Sequence, residues 1–170
     1  MADEWIELRN PTGEALNLDG CQLTRMSGSE VLMLEIPASK IIGANDFFLI
    51  ANYDEASSKI GITPDLVNTA VNLLNTQLQV KLYCNGDWDD SGILIDTAGD
   101  GGVPFEGDNV SPKKAMSRLQ DPGNGALADN WCTASAQVNW DSGAVEFGTP
   151  GAENQCTCGD CGPVCGDGAV

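Results

Sequence analysis

The chain has 170 residues, with 25 Asp and Glu against 8 Lys and Arg, no His and seven Cys, giving a formal charge of −17. One domain with a substantial core is expected, since a fold of about 150 residues buries roughly 70% of the surface its unfolded chain exposes. The charge disfavours phosphate contact and anionic membrane surfaces, and the lack of His removes the commonest general base and the usual Ser-His and Cys-His nucleophile pairs.

Met1-Ala2-Asp3-Glu4 leads directly into patterned sequence instead of a signal segment, as expected of a module cut from a longer polypeptide. No run of about 18 apolar residues is present to span a bilayer, so no membrane insertion is expected. Ile6 and Leu8 alternate with Trp5, Glu7 and Arg9, which predicts a strand ending in the turn Asn10-Pro11-Thr12-Gly13. A second strand follows Leu18-Asp19-Gly20, with Cys21 and Leu23 on one face. A third carries Leu32, Leu34 and Ile36 up to Pro37. Phe47 to Ala51 is nearly continuous apolar sequence, the mark of a strand inside a packed layer. Asp54 to Ile60 suits a helical turn or two, and Thr63-Pro64-Asp65 a second short helical start. Leu78, Val80 and Leu82 alternate with Gln77, Gln79 and Lys81, so Cys84 is expected to continue the buried face. Ile93 to Ile95 and Ala115 to Leu119 complete the predicted strands.

Turn residues punctuate these runs at Asn85-Gly86, Ser91-Gly92, Gly99 to Gly102 and Pro122-Gly123. Many short strands without a long amphipathic helix indicate an all-β antiparallel sandwich. From Gln155 the composition shifts to Cys, Gly and Asp, which places a domain over residues 1–154 and a short, irregular cysteine-rich tail over 155–170.

Cysteine usage fits an oxidising compartment, hence an extracellular or cell-surface setting. Cys84 with Cys132 is the preferred bridge, closing a loop of about 50 residues for roughly 4 kcal/mol. Cys21 with Cys156 comes second, and a free, buried Cys21 thiol is the plainer alternative. The tail cysteines Cys156, Cys158, Cys161 and Cys165 are spaced C-x-C-x2-C-x3-C, which matches neither a zinc ribbon nor a ferredoxin run. Local disulfides are the better expectation there.

Asp87, Asp89 and Asp90, then Asp96, Asp100, Glu106 and Asp108, offer oxygen ligands for a weak calcium site; no other cofactor is expected. The stretch from Asp87 lacks the downstream Glu of an EF-hand, so a solvated acidic loop is the simpler reading. Paired carboxylates as a glycosidase acid and base carry little weight without a pocket. Trp88, in an acidic loop, and Trp140 are candidates for a binding surface, whereas Trp5 and Trp131 suit core or lid packing. Lys113, Lys114 and Arg118 form the one cationic cluster in sequence, too little to make nucleic acid an expected partner.

Taken together, Glu4-Trp5-Ile6-Glu7-Leu8-Arg9-Asn10-Pro11, Leu18-Asp19-Gly20, Phe48-Leu49-Ile50-Ala51-Asn52 and Gly148-Thr149-Pro150-Gly151-Ala152-Glu153-Asn154 resemble the bacterial branch of the lamin tail domain family. The resemblance covers residues 4 to 154. It implies an immunoglobulin-like sandwich serving as a non-catalytic structural or binding module of a larger exported bacterial protein, in adhesion, ligand contact or domain spacing. Alternatives are an accessory module of a nuclease or phosphatase that contacts nucleic acid, and a calcium-dependent adhesion domain. Family members usually carry a further short strand before the position of Glu4, which implies an unpaired edge here, covered by a neighbouring molecule or by the chain's own tail. Cys165-Gly166-Asp167-Gly168 is similar to the opening of a cysteine-rich repeat of bacterial surface proteins, and an odd cysteine count fits a repeat cut short.

Overall fold

The structure, a computed structural model, describes residues 3–120 and 123–156. Its strands are β1 (Trp5–Arg9), β2 (Leu16–Asn17), β3 (Gln22–Ser27), β4 (Ser29–Glu35), β5 (Ile41–Ile42), β6 (Phe47–Ala51), β7 (Leu66–Val67), β8 (Leu78–Cys84), β9 (Ile93–Gly102), β10 (Met116–Arg118) and β11 (Trp131–Thr133). They form an antiparallel sheet in the order β4-β3-β8-β9 and a smaller sheet β1-β6-β7, in which β7 joins β6 in parallel. Two short ribbons, β2-β5 and β10-β11, border them.

The two sheets share one core and make the sandwich that the alternation predicts. Leu23 and Val80 from the larger sheet pack with Phe48 and Ile50 from the smaller, and Ile6, Leu8 and Leu82 join them from partly buried positions. Each fully buried side chain of this size contributes about 1.5–3 kcal/mol. The continuous apolar run of β6 follows from its central place: Phe48 and Ile50 face the other sheet, while Leu49 lies opposite Glu7 and is equally buried.

Three expectations are corrected. Leu32 is nearly half exposed, while Met33 and Leu34 are both buried, because Leu23 pairs with Leu34 and Thr24 with Leu32. Met33 is thus the extra residue of a bulge, which breaks the period that placed Leu32 and Leu34 on one face. Thr63-Pro64-Asp65 starts no helix; it leads into β7, and the Asp65 carboxylate accepts the Leu49 N–H at 2.7 Å. The other helical expectation survives as the 3-10 turn Glu55–Ser57, capped by the Asp54 side chain.

The third correction concerns the cysteines. Cys21 bonds Cys84 and Cys132 bonds Cys156, so neither Cys84–Cys132 nor Cys21–Cys156 forms. The reason is strand pairing: Gln22 lies opposite Tyr83, which puts the next residues outward, Cys21 and Cys84, directly across from each other with Cα atoms 4.2 Å apart. Cys132, on β11, meets the returning chain where Ala134 bridges Cys156. Ser135 donates its N–H and its hydroxyl to the Gln155 carbonyl, so Gln155 and Cys156 belong to the folded unit although the composition shift puts them in the tail. Cys156 is therefore unavailable to a four-thiolate tail cluster. Cys158, Cys161 and Cys165 lie outside the described residues. Two bridges within one chain fit an oxidising, non-cytoplasmic compartment.

Candidate functional site

The opening and closing motifs of the chain meet on β1. Asn10 ends the strand with a buried side chain: its Nδ2 donates to the Glu14 and Gly43 carbonyls, each at 2.7 Å, and its Oδ1 accepts the Thr12 N–H and hydroxyl. Gly148 to Asn154 then lies along the strand. Glu7 accepts the Gly151 N–H, Arg9 pairs with Glu153 at 2.7 Å, and Gly148 packs so close to Trp5 that a Cβ there would sit 3.0 Å from the indole. The turn at Gly151 has φ +70°, the left-handed region where glycine has no steric penalty. Burial under this segment pushes the Glu7 carboxyl up to about 7; the Gly151 N–H opposes the shift and the charge of Asp65 adds to it.

Beside β1 the two sheets stand apart and leave a groove of about 750 Å³, within the size range of ligand sites. Its floor is apolar, with Leu8, Leu23, Val80 and Leu82, and its far wall is the chain from Lys113 through β10. Three tryptophans line it: Trp5, Trp131 and Trp140. Trp140 donates its indole N–H to the Gly148 carbonyl at 2.9 Å, and Trp131 donates to Gly125 while stacking under the Arg118 guanidinium. Of the two candidates, Trp140 lies at the groove and Trp88 does not; Trp88 is half-buried elsewhere, its backbone N–H donating to the Gln22 side chain. Trp5 and Trp131, expected as core or lid packing, also line the groove, Trp5 against Gly148 and Trp131 against Arg118.

Arg9, Lys59, Lys113, Lys114 and Arg118 line this groove, and the whole chain has only 8 Lys and Arg. Arg118 anchors the wall. It pairs with Asp96 at 3.3 Å and reaches the Gly123 carbonyl, yet its buried Nε has no hydrogen-bond partner among the described residues.

The acidic candidates are spread out. The Asp87 side chain takes a hydrogen bond from Gln22, Asp96 pairs with Arg118, and Asp100 accepts the Gly102 N–H, while Asp89 and Asp90 lie exposed in the β8–β9 turn. Among the described residues no three His, Cys, Asp or Glu side chains come together as a metal site. Elsewhere, on the larger sheet, Glu30 accepts hydrogen bonds from Thr24, Lys81 and Tyr83. Desolvation resists its charge, but these donors outweigh it and hold the carboxyl below its ordinary value.

No helix among the described residues is long and apolar enough to cross a membrane. Comparison with family models, curated proteins and solved structures found no match.

The groove was not legible in the sequence. It depends on which strand lies at a sheet edge, and local alternation is the same for edge and central strands. The one signal available was the cluster Lys113, Lys114 and Arg118 in a strongly acidic chain.

Proposed function

We propose that the chain is a lamin-tail-type sandwich that serves, without chemistry of its own, as the binding module of a larger exported bacterial protein acting at the cell surface or outside it. One observation carries this reading: the groove combines an apolar floor with a strand at its rim, the arrangement by which sheets capture polypeptide segments. The carboxylates along it are engaged by donors of the fold itself, as with Glu106, which accepts the Thr133 hydroxyl at 2.6 Å, and Glu153, paired with Arg9. The two disulfides support an oxidising setting for this role, one tying the β3–β8 pair and the other fastening the returning chain to β11.

The test is a selection of random peptides on the immobilised chain, followed by comparison with an Ile95→Glu variant. Ile95 lines the groove and is half exposed, so the substitution leaves the core intact. Selected peptides should bind the parent chain at least about tenfold more tightly than the variant, the loss of roughly 1.4 kcal/mol, and be recovered intact. Peptides that bind both chains equally, or that return cleaved, would overturn the reading.

A further inference from the structure

Building on that reading, we propose that the groove is a strand-acceptor site: an extended partner segment, apolar at alternate positions and acidic between them, adds to the free edge of β1.

The edge follows from the hydrogen-bond parity of β1. Asn10 donates to the Asp46 carbonyl and Asn52 to that of Glu4, which makes the even-numbered residues of β1 the ones that bond β6. The N–H and C=O groups of Trp5, Glu7 and Arg9 therefore face away from β6. No described residue bonds them, and β1 has β6 as its one strand neighbour. Successive free groups stand about 6.8 Å apart, the two-residue repeat of an extended chain. A row of unpaired donors and acceptors beside an apolar groove is a pairing template.

The groove sets the chemistry of the occupant. An added strand turns alternate side chains toward the floor of Leu8, Leu23, Val80 and Leu82, which asks for apolar residues there. The intervening side chains meet the rim. Each carboxylate lining the groove already accepts a hydrogen bond from within the fold, from Asp3, which takes the Lys59 N–H, to Glu146, which takes that of Val145. Among the described residues the ammonium groups of Lys59, Lys113 and Lys114 make no ion pair, that of Lys114 lying over the Phe147 ring, and the buried Arg118 Nε has no acceptor. Acidic side chains supply what these donors lack.

A second copy of this chain fits poorly. Antiparallel pairing of two β1 edges centred on Glu7 would set that residue directly against its counterpart, a like pair that disfavours the ladder. The chain's own residues 157–170 offer almost no apolar side chain between their Gly and Cys, and Pro163 lacks an N–H.

The experiment uses the full chain, a synthetic peptide of about eight residues alternating valine with glutamate, and a valine–lysine peptide as control. Fluorescence anisotropy should show binding of the first peptide, at least about tenfold weaker for the second. Amide exchange at Trp5, Glu7 and Arg9 should slow when the peptide binds, whereas Ile6 and Leu8 are already protected. Arg9→Ala deletes the side chain with its pairing to Glu153 but keeps the backbone donor, and Arg9→Pro deletes the donor as well. Affinity should fall about tenfold further for proline than for alanine, with thermal melts confirming that both variants fold. Lys113→Glu with Lys114→Glu should weaken binding and flatten its salt dependence, and Ile93→Glu, outside the groove, should leave it unchanged. Peptide binding that ignores Arg9→Pro and protects none of the three amides would overturn strand addition while leaving the groove as a binding site. Dimerisation that protects the same amides without peptide would also overturn it, as would no binding at about 1 mM peptide.

Discussion

Asn10 shows how much a single polar side chain carries in this fold. A turn at Asn10-Pro11 is legible from residue type, because both favour turn geometry. That the amide is fully buried and ties the turn after β1 to the one before β6 is not, since Gly43 lies 33 residues away. Asn10→Ala would strand the Thr12 N–H and the Gly43 carbonyl, while Glu14 keeps the Thr12 hydroxyl, so urea denaturation should show a loss of about 2–4 kcal/mol. Glu7 acts in the opposite sense. Its folded-state value of about 7 lies above the ordinary 4.5, so the folded protein holds this proton more tightly than the unfolded chain. The group therefore costs nothing below about pH 4.5, and stability falls as pH rises toward 7 and then levels. Glu7→Gln keeps an acceptor for Gly151 and removes the titration. It should be more stable than the parent at pH 8 by up to about 3 kcal/mol and equal to it near pH 4, measured by denaturant melts at both values. An unchanged difference across that range would contradict the assignment.

At the scale of the element, alternation identified the strands it could and misjudged those whose environment is set elsewhere. β6 and β8 were legible because their apolar residues lie where the two layers meet. Ile93, Leu94 and Ile95 form the expected strand, yet all three are about half exposed, because β9 closes the edge of its sheet. Strand identity is local information and sheet order is not, which is also why the disulfide partners were misassigned. The bridge between β3 and β8 spans 63 residues, a loop whose closure stabilises by about 4 kcal/mol in the chain-entropy model. Replacing Cys21 and Cys84 together by alanine should lower stability by about 3–4 kcal/mol. Non-reducing digestion and mass spectrometry should recover Cys21 joined to Cys84 and Cys132 to Cys156. Recovery of a Cys84–Cys132 peptide would refute the strand order itself.

For the whole molecule, a charge of −17 is a uniform load on the compact state. Raising NaCl from about 10 mM to about 300 mM should therefore increase stability by about 1–2 kcal/mol, seen as a rise of a few degrees in the melting temperature. A fall would mean that exposed pairs such as Arg9–Glu153 outweigh the general repulsion. The bridge from Cys132 to Cys156 has a mechanical consequence. Tension applied to the chain beyond Cys156 passes through sulfur directly to β11 and bypasses residues 133–155. That sheltered stretch includes Gly148 to Asn154, which clasp β1. A protein pulled from that side would keep its clasp in place while oxidised, and a reductant would let the same force peel it away and bare the first strand.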